Sequence, residues 1–250
     1  MLIKLEGIRA RQGDFLLSAE RVTLKEGDFV AVLGNNGSGK STFLSVLAGL
    51  NKFEGKYLLE EREFQEIPTT ERHGLISLLP QMTTLNMPFD VFYVVLTGRF
   101  IHTNGLSYTD ADLEATERAM TELDIMHLRD RQFNELSGGE KQRVLLARTI
   151  NKNTRVILLD EPLSGIDILH QHDSIRLLKE LSRKKLVIVV IHDISLALRE
   201  FERFLFFTGG DLSYEARSHE IQEDRLSEIF GVRINFLRHD KGIFVYTEGK

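Results

Sequence analysis

An unbroken apolar run, Phe29-Val30-Ala31-Val32-Leu33, stops at Gly34-Asn35-Asn36-Gly37-Ser38-Gly39-Lys40-Ser41-Thr42. Beyond it, Phe43, Leu44, Leu47 and Ala48 fall on one face of a helical period over 41–50. A short strand that is apolar on both sides belongs inside a sheet covered on both faces. The glycine-rich segment fits G-x-x-x-x-G-K-[ST] in the strand-to-helix setting that this motif requires. Its glycines let successive backbone N–H groups wrap a phosphate, and the helix N-terminus adds positive potential. Gly34, Asn35, Asn36, Gly37, Ser38, Gly39, Lys40, Ser41 and Thr42 are therefore candidate nucleotide-binding residues. Lys40 would reach the β- and γ-phosphates, and the Ser41 hydroxyl would ligate Mg²⁺.

The same apolar pattern recurs at 156–159 and 187–190, with a helical stretch between. Strands alternating with helices predict a parallel sheet with helices on both faces. Asp160 and Glu161 end the first of these runs, at the carboxyl edge of the sheet where open α/β folds bind ligands. Asp160 would hold the Mg²⁺ hydration shell, and Glu161 could polarise an attacking water. His192 ends the second run in the same way. It is either a γ-phosphate contact that orients the water or a strand-end histidine satisfied by the backbone. His170 and His172, two residues apart, diverge on a helix and form no metal pair.

A second glycine turn, Leu136-Ser137-Gly138-Gly139-Glu140, opens a helix over 140–150 bearing Val144, Leu145 and Ala147. Ser137, Gly138, Gly139 and Glu140 present a hydroxyl and bare backbone N–H groups at a helix N-terminus, a natural anion site. With one complete phosphate loop per chain, the anion for this turn is expected to come from another copy.

The remaining landmarks set the organisation. Strands are expected near 2–5, 22–24 and 75–79, a strand pair at 204–207 and 211–213, and a terminal strand at 243–246. Thr109 or Asp110 is expected to cap a helix whose Leu113, Ala119, Met120 and Leu123 share a face interrupted by Thr116. One short helix is expected over 221–229. A net charge of −5 gives no electrostatic reason to expect nucleic acid. The chain has no cysteine, which removes disulfides and thiolate metal sites. Its longest apolar runs, such as the six residues 186–191, fall far short of the ~20 needed to cross a bilayer. No basic start with a long apolar core marks a signal peptide, so any membrane role is expected to pass through a partner.

Together these residues resemble the ATP-binding subunit of an ABC transporter over nearly the whole chain. The ordered landmarks are the phosphate loop at 34–42, Gln81, the signature turn at 136–140, Asp160-Glu161, a loop aspartate at Asp167, and His192. The resemblance implies a RecA-like P-loop NTPase core with an antiparallel β region (1–85 and 151–214), an inserted α-helical subdomain (86–150) and a C-terminal extension (215–250). It implies ATP and Mg²⁺ as ligands, with Gln81 contacting the Mg²⁺ and the water. It also implies a homodimer sandwiching two ATP molecules, integral membrane permease subunits as partners and a substrate-binding protein as an indirect one. The subunit would sit in the cytoplasm, peripheral to the membrane through the permease, with the segment from Met82 to Val91 facing it.

Asn35 stands where proline is common in that family, Leu163 where threonine or serine is usual, and Gly165-Ile166-Asp167 replaces alanine-leucine-aspartate. Phe15 is either the aromatic that stacks on adenine or a core phenylalanine. The segments Val94-Val95-Leu96-Thr97-Gly98-Arg99 and Ser107-Tyr108-Thr109-Asp110, and the tail from Leu226 to Val232, look like those of subunits importing iron–siderophore, haem, cobalamin or molybdate-type cargo. The alternative class is a non-transport ABC ATPase of the repair, translation or scaffold type. Such chains usually carry coiled coils, tandem halves or basic arms, and none is visible here.

Overall fold

The computed structural model describes residues 1–81, 88–103, 105, 107–239 and 242–248. The first half of the chain comprises β1 (Ile3–Gln12), β2 (Phe15–Leu24), β3 (Phe29–Gly34), α1 (Lys40–Leu47), β4 (Glu54–Leu59), β5 (Arg62–Glu63), α2 (Thr69–Leu75), β6 (Ile76–Leu79), α3 (Val91–Leu96) and α4 (Asp110–Glu122). It continues through α5 (Gly138–Asn151), β7 (Val156–Asp160), α6 (Ile168–Ser182), β8 (Leu186–Val190), α7 (Ile194–Glu200), β9 (Arg203–Thr208), β10 (Asp211–Arg217), α8 (Glu223–Phe230), β11 (Arg233–His239) and β12 (Gly242–Glu248). The expected Met82–Val91 contact with a membrane partner begins in 82–87, outside the described residues.

Ten strands form one sheet in the order β5-β4-β1-β2-β10-β9-β3-β8-β7-β6. From β9 to β6 all neighbours are parallel, and β3 lies between β8 and β9. The strand that leads into the phosphate loop is thus central, at a point where connections leave to both sides. Alternate residues of β3 serve two cores: Val30 and Val32 face α1, while Phe29, Ala31 and Leu33 face the helices on the other side. This division accounts for the unbroken apolar run. β1, β2 and β4 pair antiparallel and place Leu5, Ile8, Leu17 and Val22 against α1, so the sheet curls over that helix.

Between β6 and β7, α3, α4 and α5 pack on one another. Thr109 caps α4, with Asp112 returning the hydrogen bond in a capping box. The buried face of α4 differs from the helical pattern: Leu113 is 37% exposed, whereas Thr116 is fully buried. The Thr116 hydroxyl donates to the Asp112 carbonyl at 2.7 Å and accepts from Asn151 Nδ2 at 2.9 Å. A hydroxyl with both bonds made inside the helix bundle behaves as core, which a polarity pattern does not reveal. Two further boundaries differ. Leu75 ends α2 instead of starting a strand, and the last strand is half of a hairpin, β11–β12, that is separate from the large sheet.

Asn151 ties three helices together, because its amide also donates to the Val95 carbonyl at 3.0 Å. Asn151→Ala should lower stability by about 2 kcal/mol, since it strands two buried acceptors. Urea unfolding checks this, and a change inside about 0.5 kcal/mol would show the network to be dispensable.

Candidate functional site

The phosphate loop turns from β3 into α1 through Gly39, which sits at φ 106 as the N-cap. A side chain there would press on Leu17 and the Phe15 ring at 3.0–3.1 Å, so glycine is required both for backbone angle and for close approach. Lys40 folds back over the loop, and its ammonium donates to the carbonyls of Gly34 and Asn35, each at 2.9 Å. Burial lowers the Lys40 pKa, against the opposing pull of Glu161 and Asp160. Ser38 Oγ is buried without a hydrogen-bond partner among the described residues. Thr42 donates its hydroxyl to Gln12 Oε1 at 3.1 Å.

A cavity of about 770 Å³ opens over this loop, a size that suits a nucleotide. Phe15, Asn36, Lys40, Gln81, Glu161 and His192 are among its lining residues. Phe15 therefore lies at the cavity wall, half-buried, and not in the sealed core. Gln12 also lines it, a residue that sequence reasoning missed because nothing marks it apart from its place at a strand end.

β7 and β8 deliver the acidic pair and the histidine to the same edge. Asp160 is 4% exposed, and among the described residues its Oδ1 has no hydrogen-bond partner. Burial raises its pKa, partly offset by the hydrogen bond from Ser41. Glu161 follows at φ 52, in the left-handed region, which is uncommon for a side chain of this kind. Its Oε1 accepts from Gln81 Nε2 at 2.9 Å and lies 2.6 Å from His192 Nε2. Its main chain is also held: Glu161 N–H donates to the Val190 carbonyl at 3.2 Å, and Gln142 Nε2 donates to the Glu161 carbonyl at 3.1 Å. Gln142, 1% exposed on α5, is a second residue that the sequence reading missed. No sequence signal marks it, because it stands between Lys141 and Arg143 in a polar stretch just after the signature turn.

The residues fit a magnesium ion. An orphaned buried carboxylate oxygen stands beside the Ser41 hydroxyl, and Mg²⁺ typically takes one or two protein oxygens plus substrate phosphates. Among the described residues no cluster of three His, Cys, Asp or Glu could hold a metal by itself. His170 instead bonds Asp167 at 2.6 Å.

The signature turn stands apart, and none of residues 137–140 lines the cavity. Ser137 caps α5, and Glu140 Oε2 accepts from both the Ser137 hydroxyl (2.7 Å) and its N–H (2.8 Å). Those bonds lower the Glu140 pKa, the hydroxyl contributing most. The two glycines differ. A Cβ at Gly139 would meet the Gly165 carbonyl oxygen at 2.6 Å, whereas one at Gly138 would meet nothing within 4 Å.

Because burial raises the Asp160 pKa, its charge destabilises the nucleotide-free fold above the ordinary carboxylate range, and the penalty fades as pH falls through the raised value. Asp160→Asn should raise the unfolding midpoint at pH 7 and give a smaller gain near pH 4. Thermal melts without nucleotide check this, and equal midpoints at pH 7 would contradict it.

Comparison with known proteins matches this geometry to one family. The family model described as ABC transporter matches residues 17–164. The hemin import ATP-binding protein HmuV of Pseudomonas aeruginosa is 34% identical over 247 residues, covering 95% of this chain and 96% of that protein. YusV of Bacillus subtilis, an ATP-binding protein named for a siderophore transport system, is 34% identical over 88% of this chain and 82% of its own. Among solved structures, an inward-facing transporter described as metal-chelate type aligns at TM-score 0.81 and 25% identity, covering 99% of this chain and 96% of that one. The dimeric, post-hydrolysis ATP-binding cassette MJ0796 with ADP and Pi aligns at 0.77 and 27%, covering 87% and 99%. The chain belongs to the ABC transporter family as an ATP-binding, ATP-hydrolysing subunit.

Proposed function

We propose that this subunit drives import of a metal chelate of the haem or iron–siderophore class, hydrolysing ATP at a site completed by a second copy of itself. The observation that carries the dimer is the separation of the two phosphate-binding turns. The cavity is lined by the phosphate loop and Glu161, while Ser137 and the open face of Gly138 lie outside it. The HmuV and YusV names support the cargo class.

In this reading the backbone N–H groups of 34–42 and the Lys40 ammonium bind the phosphates, and Phe15 flanks the adenine. Ser41 and Asp160 hold the Mg²⁺, with Gln81 contacting it or the water; bound there, the ion neutralises developing phosphate charge. Glu161 accepts the proton of the attacking water. The His192 and Gln81 side chains, both on its carboxylate, keep it aimed into the cavity. Ser137, Gly138 and Gly139 of the second copy meet the phosphate from the opposite side.

No described helix is long and apolar enough to cross a membrane. The subunit works at the cytoplasmic face through permease subunits, which in turn receive cargo from a substrate-binding protein. Exposed Phe89, Tyr93 and Phe100, near α3, supply apolar surface for the permease.

Glu161→Gln should retain ATP binding, lower turnover by at least about 100-fold and accumulate a dimer with ATP. Turnover assays with size-exclusion chromatography check this, and a monomer at saturating ATP would contradict the shared site.

A further inference from the structure

The Asn35 side chain and the segment beyond β10 have no part in the chemistry above, and one hydrogen bond joins them. Asn35 Nδ2 donates to the Ile229 carbonyl at 3.2 Å. That oxygen lies in the last turn of α8, where carbonyls have no partner within the helix. The helix stops there at Gly231, φ 70. The carbonyl of Asn35 itself accepts from Lys40 Nζ at 2.9 Å. One loop residue is thus held by α8 through its side chain and by the phosphate-loop lysine through its backbone.

α8 is firmly seated. Leu226 and Ile229 are buried in the same core as Phe204 and Phe206, and Phe230 meets Phe206 edge-on at 6.5 Å. The Ser227 hydroxyl accepts from Ile234 N–H at 2.9 Å, and the Glu223 carboxylate accepts from Phe236 N–H at 2.6 Å, which fixes β11 to the helix. On β12, Val245 N–H donates to the Ser195 hydroxyl of α7 at 3.2 Å. α7 follows directly on His192 and its capping Asp193. The C-terminal segment therefore reaches the loop that carries Lys40, which lines the cavity, and the helix that follows the lining residue His192.

We infer that the segment from α8 to β12 is a brace for the nucleotide site, and that Asn35 is the positioning residue through which it sets the loop's affinity for ATP. The inference rests on the loop at 34–42 being the ATP site. A loop tied to a packed helix before binding loses less freedom when the phosphates arrive. A single neutral hydrogen bond corresponds to a roughly two- to tenfold change in affinity. Linkage requires the reverse as well: bound ATP tightens α8 by the same factor.

The test is calorimetric titration of Mg-ATP into the full chain, with hydrogen exchange of α8 followed in parallel. Asn35→Ala should weaken binding two- to tenfold and abolish the ATP-dependent slowing of exchange in α8. Ser227→Ala loosens α8 from β11 without touching the cavity. It should weaken ATP binding in the parent chain and have no further effect in the Asn35→Ala background. Unchanged affinity in Asn35→Ala, or an equal Ser227→Ala effect in both backgrounds, would overturn the brace while leaving the ATP site in place. A parent chain that binds no ATP would instead remove the loop assignment and the brace with it.

Discussion

The arrangement of the site depends on how Glu161 is held. A non-glycine residue at φ 52 is strained by about 1–3 kcal/mol and persists only where its surroundings over-determine it. Hydrogen-bonding contacts from Val190 and Gln142 to the main chain and from Gln81 and His192 to the carboxylate do so here. Their donors and acceptors come from the ends of β6 and β8 and from α5. The parallel register of β6, β7 and β8 brings the strand ends level. The packing of α5 adds the amide that sequence spacing could not place.

Much of this was legible because the residues concerned answer to local rules. A strand buried on both faces reads as an unbroken apolar run, and a phosphate loop needs glycines at fixed offsets. Asp160 and His192 were placed by strand ends alone. What escaped depends on tertiary partners. Thr116 looked like a gap in an apolar face, yet Asn151 makes it core. Leu113 fitted the helical period but is 37% exposed, because the buried stripe of α4 runs through Asp112, Thr116, Ala119, Met120 and Leu123. Gln142 and Gln12 belong to the cavity wall or its support only because distant segments meet them. The contact between Asn35 and Ile229 spans most of the chain and has no sequence signature.

The two glycine turns complete the account. Gly139 is fixed by packing against Gly165 within its own chain, a structural reason for glycine that needs no nucleotide. Gly138 has no such reason, and among the described residues the Ser137 hydroxyl bonds Glu140 of its own capping box. A bare glycine and a hydroxyl at a helix N-terminus, outside the cavity that holds Lys40, are what a phosphate arriving from a second copy would meet. The resemblance to a dimeric cassette with ADP and Pi supports that arrangement.

The shared site is tested most directly by complementation. Lys40→Ala removes one chain's phosphate-loop lysine, and Ser137→Arg blocks its signature turn. Each variant alone should be inactive. Mixed in equal amounts they form heterodimers with one intact composite site, and activity should return to about a quarter of the parent rate. A mixture as inactive as its components would contradict a site built from two chains.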